Sequence, residues 1–447
     1  MKYFGTDGFR GKSNEVLCVE HALKIGQFLG WYFGAREGKK CSCVIGKDTR
    51  QSSYMYEYGL SAGLTSTGCD VYLLHVTTTP SVSYITRTDD FDFGIMITAS
   101  HNPYYDNGIK IIDRNGYKMD EAVLEQVEAY IDGEIDIPRA SSESIGRCND
   151  YIQGRNRYIS YLSSIPLNSF RGYKIGLDCS NGSSFTIAKT VFDMLGADTH
   201  VINNKPDGTN INRDAGSTHI EYLQQYVKNN SLDMGFAFDG DADRCIAINE
   251  KGEVVDGDAI IYIAGNYLKE HGQLKDDTVV VTVMSNLGLF NALKEKNIKA
   301  MVTDVGDKYV SAEIQANGYA VGGEQSGHVI FNKYATTGDG ILTAILLADI
   351  VIGNKSMMSH LHAGLTIMPQ KLKNIKVSNK KEIMESPEIL KYIEKTNNEL
   401  EGKGRLLFRA SGTEPLIRIM AEAGSLVGCE KIISEAEEYM YTLFPKD

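Results

Sequence analysis

The sequence predicts an α/β protein of several domains, with mostly parallel sheets and a small C-terminal α+β module. The chain has 447 residues, and at about 150 residues per domain this length suggests roughly three. A strand, a small-residue turn, a helix and a second strand recur about every hundred residues, which is typical of related α/β domains. The three copies begin at Cys41, Tyr173 and Thr278.

The elements of each copy can be placed along the chain. The first has the strand CSCVIG, a helix over 52–67 and the strand VYLLHV, preceded by a helix over 18–36; the second has KIGLD, a helix over 185–195 and THVIN; the third has VVVTVM, a helix over 289–296 and IKAMVTDV. In the tail, Ser386 is expected to cap a helix that begins with Pro387, and the strands RLLFR and LIRIMAEA follow. We expect domains over 1–150, 151–252, 253–370 and 371–447.

Composition restricts the classes of partner. The chain carries 46 Lys and Arg against 58 Asp and Glu, a net charge of −12, which argues against nucleic acid or an anionic membrane surface. An anionic small molecule would need basic residues gathered at its site. No segment reaches the ~20 apolar residues of a membrane span, and the N-terminus has no apolar run of signal-peptide length. Eight scattered cysteines are best explained as free thiols in a reducing cytoplasm.

A polar turn after a buried strand supplies the first candidate for catalysis. Residues 94–98, GIMIT, are typical of a buried strand, and the turn ASHNP follows at once. A hydroxyl at the end of a parallel strand lies where open α/β sheets bind ligands. Ser100 is therefore a candidate nucleophile, with His101 beside it. A serine that merely caps the turn is the simpler alternative.

The segment DGDADR is the strongest local signal. Asp239, Asp241 and Asp243 lie at alternate positions between apolar, strand-like runs. Buried carboxylates need a neutralising partner, and a hard divalent cation such as Mg²⁺ fits their oxygens. A calcium-binding helix-loop-helix is excluded, because its sixth position requires Gly where Arg244 stands and the flanks are strands, not helices. An acidic surface turn without metal is the remaining alternative.

Two further loops have the composition of ligand-binding segments. GGEQSGH offers Glu324, Ser326 and His328, whose donors and acceptors suit sugar hydroxyls. RASGTEPLIR places hydroxyls and exposed amides between Arg409 and Arg418, a combination that suits a phosphate dianion. Each loop alone could be an ordinary hairpin. The basic residues that an anionic substrate requires do lie in or beside the motifs: Arg10, Lys110, Arg244, Arg409 and Arg418.

Together these motifs resemble those of the α-D-phosphohexomutase superfamily. TASHNP, DGDADR, GGEQSGH and RASGTEPLIR occur in this order, one in each predicted domain. Within the superfamily, FGTDGFRG and Gln325 are most similar to bacterial phosphoglucosamine mutases, whereas phosphomannomutase/phosphoglucomutase enzymes more often carry Met in place of Gln325. Phe9 replaces the Ile that is usual in the N-terminal motif. The resemblance implies a four-domain architecture around a central cleft, with three related α/β domains.

The resemblance also implies a role for each motif residue. Ser100 resembles the serine that becomes phosphoserine, and its oxygen joins Asp239, Asp241 and Asp243 around one Mg²⁺ per chain. The other catalytic residues implied are Arg10, Lys110 and His101. The substrate-binding residues implied are Arg244, Glu324, Ser326 and His328. The phosphate-binding residues implied are Arg409, Ser411, Gly412, Thr413 and Arg418.

The reaction implied is the interconversion of glucosamine 6-phosphate and glucosamine 1-phosphate, which feeds UDP-N-acetylglucosamine and cell-wall precursor synthesis. It runs through phosphoserine and glucosamine 1,6-bisphosphate, and this or another sugar bisphosphate acts as primer. Lys110 is the first candidate for general acid and base and His328 the second; a lysine base needs a lowered pKa, which we expect nearby cations to provide.

Three other functions stay open on sequence alone. They are a mutase for glucose or mannose phosphates, a non-catalytic sugar-phosphate sensor, and a phosphatase that uses an aspartyl phosphate of DGDADR. The partner expected in each case is a small phosphosugar, with no nucleic acid and no membrane. The resemblance also leaves a homodimer open.

Overall fold

Four β-sheets and the helices that cover them organise the chain. The computed structural model describes residues 1–411 and 415–445. They form two compact units, one of Met1–Val283 with Met301–His362 and the other of Met284–Ala300 with the chain from Ala363 onward. The first two sheets and most of the third lie in the first unit, and the fourth lies in the second. No helix in these described ranges is long and apolar enough to cross a membrane.

The first sheet has seven strands and mixed pairing. Its strands are β1 (Phe4–Gly5), β2 (Gly8–Lys12), β3 (Ser42–Lys47), β4 (Asp70–Val76), β5 (Phe93–Ile97), β6 (Asp106–Asp113) and β7 (Cys148–Asp150), in the order β1-β2-β6-β5-β3-β4-β7. Its helices are α1 (Val19–Phe33), α2 (Gln51–Ser66), α3 (Thr79–Thr88), α4 (Glu121–Ile131) and α5 (Ile152–Ser163). Strand β3 is covered on both faces, because Ile45 packs in the cluster that contains α1 and α2 while Val44 packs with Val82 of α3.

The second and third sheets repeat the plan with fewer strands. The second contains β8 (Lys174–Asp178), β9 (Asp198–Ile202), β10 (Met234–Phe238), β11 (Cys245–Ile248) and β12 (Val254–Val255), in the order β12-β11-β10-β8-β9, with α6 (Ser184–Met194) and α7 (Glu221–Asn229). The third contains β13 (Thr278–Thr282), β14 (Lys299–Thr303), β15 (Val321–Gly323) and β16 (Val329–Phe331), in the order β14-β13-β15-β16. The helices of this region are α8 (Gly257–Glu270), α9 (Leu287–Glu295), α10 (Asp307–Asn317), α11 (Gly340–Gly353) and α12 (Met358–Leu361).

The fourth sheet is small and antiparallel. It contains β17 (Gln370–Lys376), β18 (Arg405–Ala410) and β19 (Leu416–Glu422), in the order β17-β19-β18, with α13 (Lys380–Glu385), α14 (Pro387–Leu400) and α15 (Leu426–Leu443). The predicted start of α14 is confirmed: the Ser386 hydroxyl accepts the backbone N–H of Ile389, and Pro387 is the first helical residue. The predicted α+β module is therefore present.

The predicted repeats are confirmed, and the pairing adds one feature that the sequence did not indicate. Strands β3 and β4, like β8 and β9, pair in parallel across a helix. However, β5 pairs antiparallel with β6, β10 with β11, and β15 with β16. Each of these pairs is joined by a short connection, which cannot make the long crossover that parallel neighbours require. The first three sheets are therefore mixed, with the parallel strands side by side and the antiparallel strands at one edge.

A buried carboxylate anchors the N-terminal strand to helix α4. Glu128 is 8% exposed, and its two oxygens accept the backbone N–H groups of Lys2, Tyr3 and Phe4 at 2.6, 2.7 and 2.7 Å. Burial opposes ionisation, but these three donors together lower the pKa of Glu128 below its usual value. The anchor fixes the start of the chain just before the FGTDGFRG loop.

We expect Glu128→Ala to lower the free energy of unfolding by about 1–3 kcal/mol, because three buried N–H groups lose their acceptor. Glu125→Ala, an exposed position on the same helix, should change it by less than about 0.5 kcal/mol. Since the folded pKa of Glu128 is lowered, its contribution is present above the usual glutamate pKa and is lost as the pH falls through the folded value. Denaturant melts near pH 7 and near pH 3 would measure the difference; equal effects of the two variants would contradict the anchor.

Candidate active site

Three of the predicted motifs occupy equivalent places in the repeated fold. TASHNP lies between β5 and β6, DGDADR between β10 and β11, and GGEQSGH between β15 and β16. In each case the loop follows the carboxyl end of a strand from the parallel core and turns directly into an antiparallel neighbour. Short loops at strand ends are rigidly positioned by the sheet, which suits side chains that must be held precisely.

Ser100 is buried and has an unusual backbone conformation. It is 2% exposed, with φ of +51°, a left-handed conformation that costs a non-glycine residue about 1–2 kcal/mol. Its backbone N–H donates to the hydroxyl of Thr98 at 2.9 Å. Its own hydroxyl donates to Asp239 Oδ2 at 2.6 Å and lies 3.3 Å from His101 Nδ1. Burial, together with Arg244 and Arg10, lowers the pKa of His101 to about 4, so this imidazole is neutral near pH 7.

The three aspartates of DGDADR form a compact cluster. One oxygen from each of Asp239, Asp241 and Asp243 lies within 4.8 Å of the other two, and the side chains are 1%, 0% and 5% exposed. Burial and the charges of Asp243 and Asp241 raise the pKa of Asp239 well above its usual value. Asp241 Oδ1 and Asp243 Oδ1 are buried without a hydrogen-bond partner. These unpaired oxygens fit a divalent cation such as Mg²⁺, which prefers hard oxygen ligands.

Lys110 approaches this cluster from strand β6. Its Nζ lies 2.8 Å from Asp241 Oδ2, 3.1 Å from Asp243 Oδ2 and 3.2 Å from Asp7 Oδ2. Burial disfavours the ammonium, but Asp241, Asp243 and Asp7 outweigh it and raise the pKa of Lys110 well above its usual value. The expectation that neighbouring cations lower this pKa is therefore wrong, because three carboxylates surround the amine.

Asp7, Lys118 and Asp307 extend the ionic contacts toward the GGEQSGH loop. Asp7 pairs with Arg10 and with Lys118 Nζ at 3.0 Å, and Lys118 donates to Asp307 Oδ1 at 2.7 Å. Asp307 Oδ2 in turn lies 3.6 Å from His328 Nε2. Charges of opposite sign thus alternate from Lys110 through Asp7 and Lys118 to Asp307, and these residues line a cavity of about 290 Å³ together with His328. Of Asp7, Lys118 and Asp307, only Asp7 lies in a motif that the sequence analysis identified, FGTDGFRG.

Thr79 and Asn212 also contact the site, Thr79 at Asp241 and Asn212 at Ser100, and the sequence analysis missed both. The hydroxyl of Thr79 donates to Asp241 Oδ2 at 2.5 Å. The backbone N–H of Thr79 donates to the backbone carbonyl of Asp241 at 3.0 Å. The side-chain amide of Asn212 donates to the Ser100 carbonyl at 2.8 Å. Thr79 belongs to the run Thr77-Thr78-Thr79-Pro80 that follows strand β4, so hydroxyls at a strand end could have indicated it.

The predicted sugar-binding residues are arranged unequally. The backbone N–H of Gly306 donates to Glu324 Oε1 at 3.1 Å, whereas Ser326 is exposed. His328 is 3% exposed, and neither ring nitrogen has a hydrogen-bond partner. Arg244 directly precedes strand β11. Its backbone N–H donates to Asp239 Oδ1 at 3.1 Å. The GGEQSGH loop thus places the carboxylate of Glu324 beside Gly306 and the imidazole of His328 beside Asp307.

The predicted phosphate loop lies in the second unit. Arg409 and Arg418 are directly opposite each other in the β18–β19 pair, and Ser411 accepts a hydrogen bond from Lys380 Nζ at its carbonyl, at 2.8 Å. Directly opposed residues of an antiparallel pair share one face of the sheet, so the two arginines bring like charges together. Gly412 and Thr413 lie outside the described residues.

Four family models match successive parts of the chain. They describe phosphoglucomutase/phosphomannomutase α/β/α domain I over residues 1–136, domain II over 156–252, domain III over 256–367 and the C-terminal domain over 372–436. The curated phosphoglucosamine mutase of Lachnospira eligens is 56% identical over 97% of this chain and 97% of its own.

Solved structures share the fold. A phosphoglucomutase/phosphomannomutase family protein from Burkholderia thailandensis has a TM-score of 0.81 at 22% identity, covering 99% of this chain and 98% of its own. The N-acetylphosphoglucosamine mutase of Aspergillus fumigatus, in complex with GlcNAc-6P and magnesium, has a TM-score of 0.63 at 18% identity, covering 97% and 94%. With the serine loop, the carboxylate cluster and four matching domains in order, the chain belongs to the phosphoglucomutase/phosphomannomutase family of the α-D-phosphohexomutase superfamily.

Proposed function

We propose that the protein is a phosphoglucosamine mutase, which interconverts glucosamine 6-phosphate and glucosamine 1-phosphate. The observation that carries the proposal is the 2.6 Å hydrogen bond from the Ser100 hydroxyl to Asp239, one of three clustered carboxylates. A hydroxyl held against a cation-binding cluster can accept and release a phosphoryl group. The 56% identity to a curated phosphoglucosamine mutase supports the choice of sugar over glucose or mannose.

In the proposed cycle, Ser100 carries the phosphoryl group between two positions of the sugar. Oxygen O1 of glucosamine 6-phosphate attacks phosphoserine; the bond from phosphorus to Ser100 Oγ breaks, and the bond to O1 forms. The proton that O1 releases is the one that Oγ gains. The resulting 1,6-bisphosphate turns around, and Oγ takes the phosphoryl group from O6 while the proton passes to O6. Protons and phosphoryl groups therefore balance, and a sugar bisphosphate can prime the unphosphorylated enzyme.

The residues around Ser100 divide the remaining work in this proposal. Asp239, Asp241 and Asp243 would hold one Mg²⁺ with the serine oxygen; such an ion offsets the negative charge of the transferring group. Arg10 and Arg244 add positive charge. Lys110 is the first candidate for moving the proton, because its ammonium is close to the cluster and can donate to Oγ as the serine leaves. His328, buried with both ring nitrogens unpaired, is the second, and neutral His101 orients the hydroxyl.

Recognition of the substrate is proposed for the other two loops. Glu324, Ser326 and His328 would contact the sugar hydroxyls, as their donors and acceptors allow. Arg409 and Arg418 would bind the phosphate that does not react, with Ser411, Gly412 and Thr413 contributing hydroxyl and backbone donors. The two arginines lie opposite each other in the β18–β19 pair, so both could contact one phosphate.

Compartment and domain limits also belong to the proposal. All eight cysteines are free, which supports a reducing cytoplasm. We propose domains over 1–150, 151–252, 253–370 and 371–447; the four sheets support four domains, and the second sheet extends to Val255.

Ser100→Ala should remove both the covalent phosphate and turnover. We expect peptide mass spectrometry to find phosphate on Ser100 of the wild type after treatment with a sugar bisphosphate, and none in the variant. Turnover should fall by roughly 10³-fold or more, because the variant lacks the phosphoryl carrier. Ser164→Ala, at an exposed serine, is the matched control. Phosphate on Asp239 in place of Ser100 would favour the phosphatase, and neither phosphate nor turnover in the wild type would favour the sensor.

Chelation should abolish turnover, and added Mg²⁺ should restore it. Asp241→Asn removes one of three clustered charges, so we expect Mg²⁺ binding by calorimetry to weaken by roughly 10- to 100-fold or more. Asp136→Asn, at an exposed position, should bind Mg²⁺ as the wild type does. Activity that survives exhaustive chelation, or equal Mg²⁺ affinity in the two variants, would contradict the metal site.

Among 6-phosphates of glucosamine, glucose and mannose, the glucosamine ester should give the highest kcat/KM. The comparison requires one enzyme preparation primed with the same bisphosphate, so that the fraction of phosphorylated Ser100 is constant. If the glucosamine ester is the poorest substrate while Ser100 is still phosphorylated, the mutase chemistry stands and the proposed sugar is wrong.

A further inference from the structure

Two buried side chains hold the backbone of the Ser100 loop, and they come from different sheets. Arg50 follows β3 in the first sheet and is fully buried; its Nη2 donates to the carbonyls of Ser100 and Asn102 at 2.9 and 2.8 Å. Asn212 belongs to the second sheet's connection between β9 and α7 and is 7% exposed. Its amide donates to the same two carbonyls at 2.8 and 3.1 Å.

Asn212 is itself held in place by the second sheet. Its backbone N–H donates to the carbonyl of Ser180, in the turn after β8, at 2.9 Å. The neighbouring Gly240, between the two cluster residues Asp239 and Asp241, approaches the same point. A Cβ at Gly240 would lie 2.5 Å from the Ser100 carbonyl oxygen and 3.0 Å from Asn212 Nδ2. The serine loop, Asn212 and the carboxylate turn are therefore in mutual contact.

The contacts of Asn212 are not needed to satisfy buried hydrogen-bonding groups. Because Arg50 donates to both carbonyls, neither would be left without a donor if the amide were removed, and an unpaired carbonyl is what makes such a loss costly for stability. Arg50 and Asn212 differ in one respect: Asn212, unlike Arg50, links the Ser100 loop to the sheet that carries the aspartates. Its effect should thus fall on geometry more than on stability.

We propose that Asn212 is a positioning residue that sets the distance between Ser100 Oγ and the Asp239 cluster. The inference rests on the proposed function, since it assigns Asn212 to the phosphoryl-transfer step of that reaction. Asn212 acts through the Ser100 and Asn102 carbonyls and does not contact the hydroxyl. Misplacing a reacting group by about 1 Å can cost on the order of 10²-fold in rate. From the second sheet, Asn212 donates to the Ser100 carbonyl, Gly240 lies beside the same carbonyl, and Asp239 accepts from the Ser100 hydroxyl.

The test compares Asn212→Ala and Asn212→Asp with Asn210→Ala. Asn210 is a matched control, because its amide donates within its own loop, to the carbonyl of Lys205. We expect Asn212→Ala to lower kcat by roughly 10- to 100-fold while KM for glucosamine 6-phosphate stays within about twofold, since the substrate contacts are untouched. The rate of Ser100 phosphorylation by a sugar bisphosphate, followed by peptide mass spectrometry, should fall in parallel.

Asn212→Asp should be slower than Asn212→Ala, because its carboxylate faces two carbonyl oxygens. Thermal melts should place Asn212→Ala close to Asn210→Ala, which excludes a general loss of folding. Wild-type kcat in Asn212→Ala, or a matching loss in Asn210→Ala, would overturn the inference while leaving the proposed function intact. A wild type that turns over only another hexose phosphate would overturn the proposed sugar, and the comparison of variants would then use that substrate. No phosphate on wild-type Ser100 would overturn both.

Discussion

The burial of three carboxylates within 4.8 Å of one another is the constraint on which the rest of the site depends. Bringing like charges together away from water is unfavourable unless cations or hydrogen-bond donors compensate. Arg244, in the same loop, donates its backbone N–H to Asp239, and further compensation comes from outside the aspartates' own sheet. Lys110 and Thr79 both contact Asp241, and Ser100 contacts Asp239. Lys110 lies in β6, Thr79 in α3 and Ser100 in the loop between β5 and β6. Groups from the first sheet's region therefore compensate carboxylates that the second sheet carries.

Ser100 and the carboxylate cluster occupy equivalent loops of two repeats. Each loop lies between a parallel strand and an antiparallel neighbour, so both emerge at the carboxyl ends of their sheets. Ser100 is in a left-handed conformation, and burial and two neighbouring carboxylates raise the pKa of Asp239. Their contact gives the serine hydroxyl an acceptor and the Asp239 carboxyl a hydrogen-bond donor.

The sequence was sufficient for the fold class, the order of the repeats and the family, because each of these is encoded by neighbours in the chain. It was insufficient for contacts between distant segments. Thr79 and Asp241 are 162 residues apart, and no local pattern marks Asn212 or Asp307. The error over Lys110 has the same origin. The chain shows basic residues in nearby motifs, but only the folded structure shows that Asp7, Asp241 and Asp243 surround the amine.

In the proposed function, the charge of a phosphorylated Ser100 would make metal binding and phosphorylation interdependent. A phosphoserine carries about −1.5 to −2 charges near pH 7, and at Ser100 these would lie against Asp239, whose pKa is already raised by burial and by two neighbouring carboxylates. The hydroxyl that now donates to Asp239 would be replaced by acceptors only, so the same contact would change from attractive to repulsive. A cation bound to the carboxylates would make the interaction of the phosphate with the cluster attractive again. By linkage, the factor by which phosphorylation would strengthen cation binding equals the factor by which a bound cation would favour the phosphorylated serine. In the proposed function, the cluster would therefore act on the phosphoserine by setting the stability of that charged state.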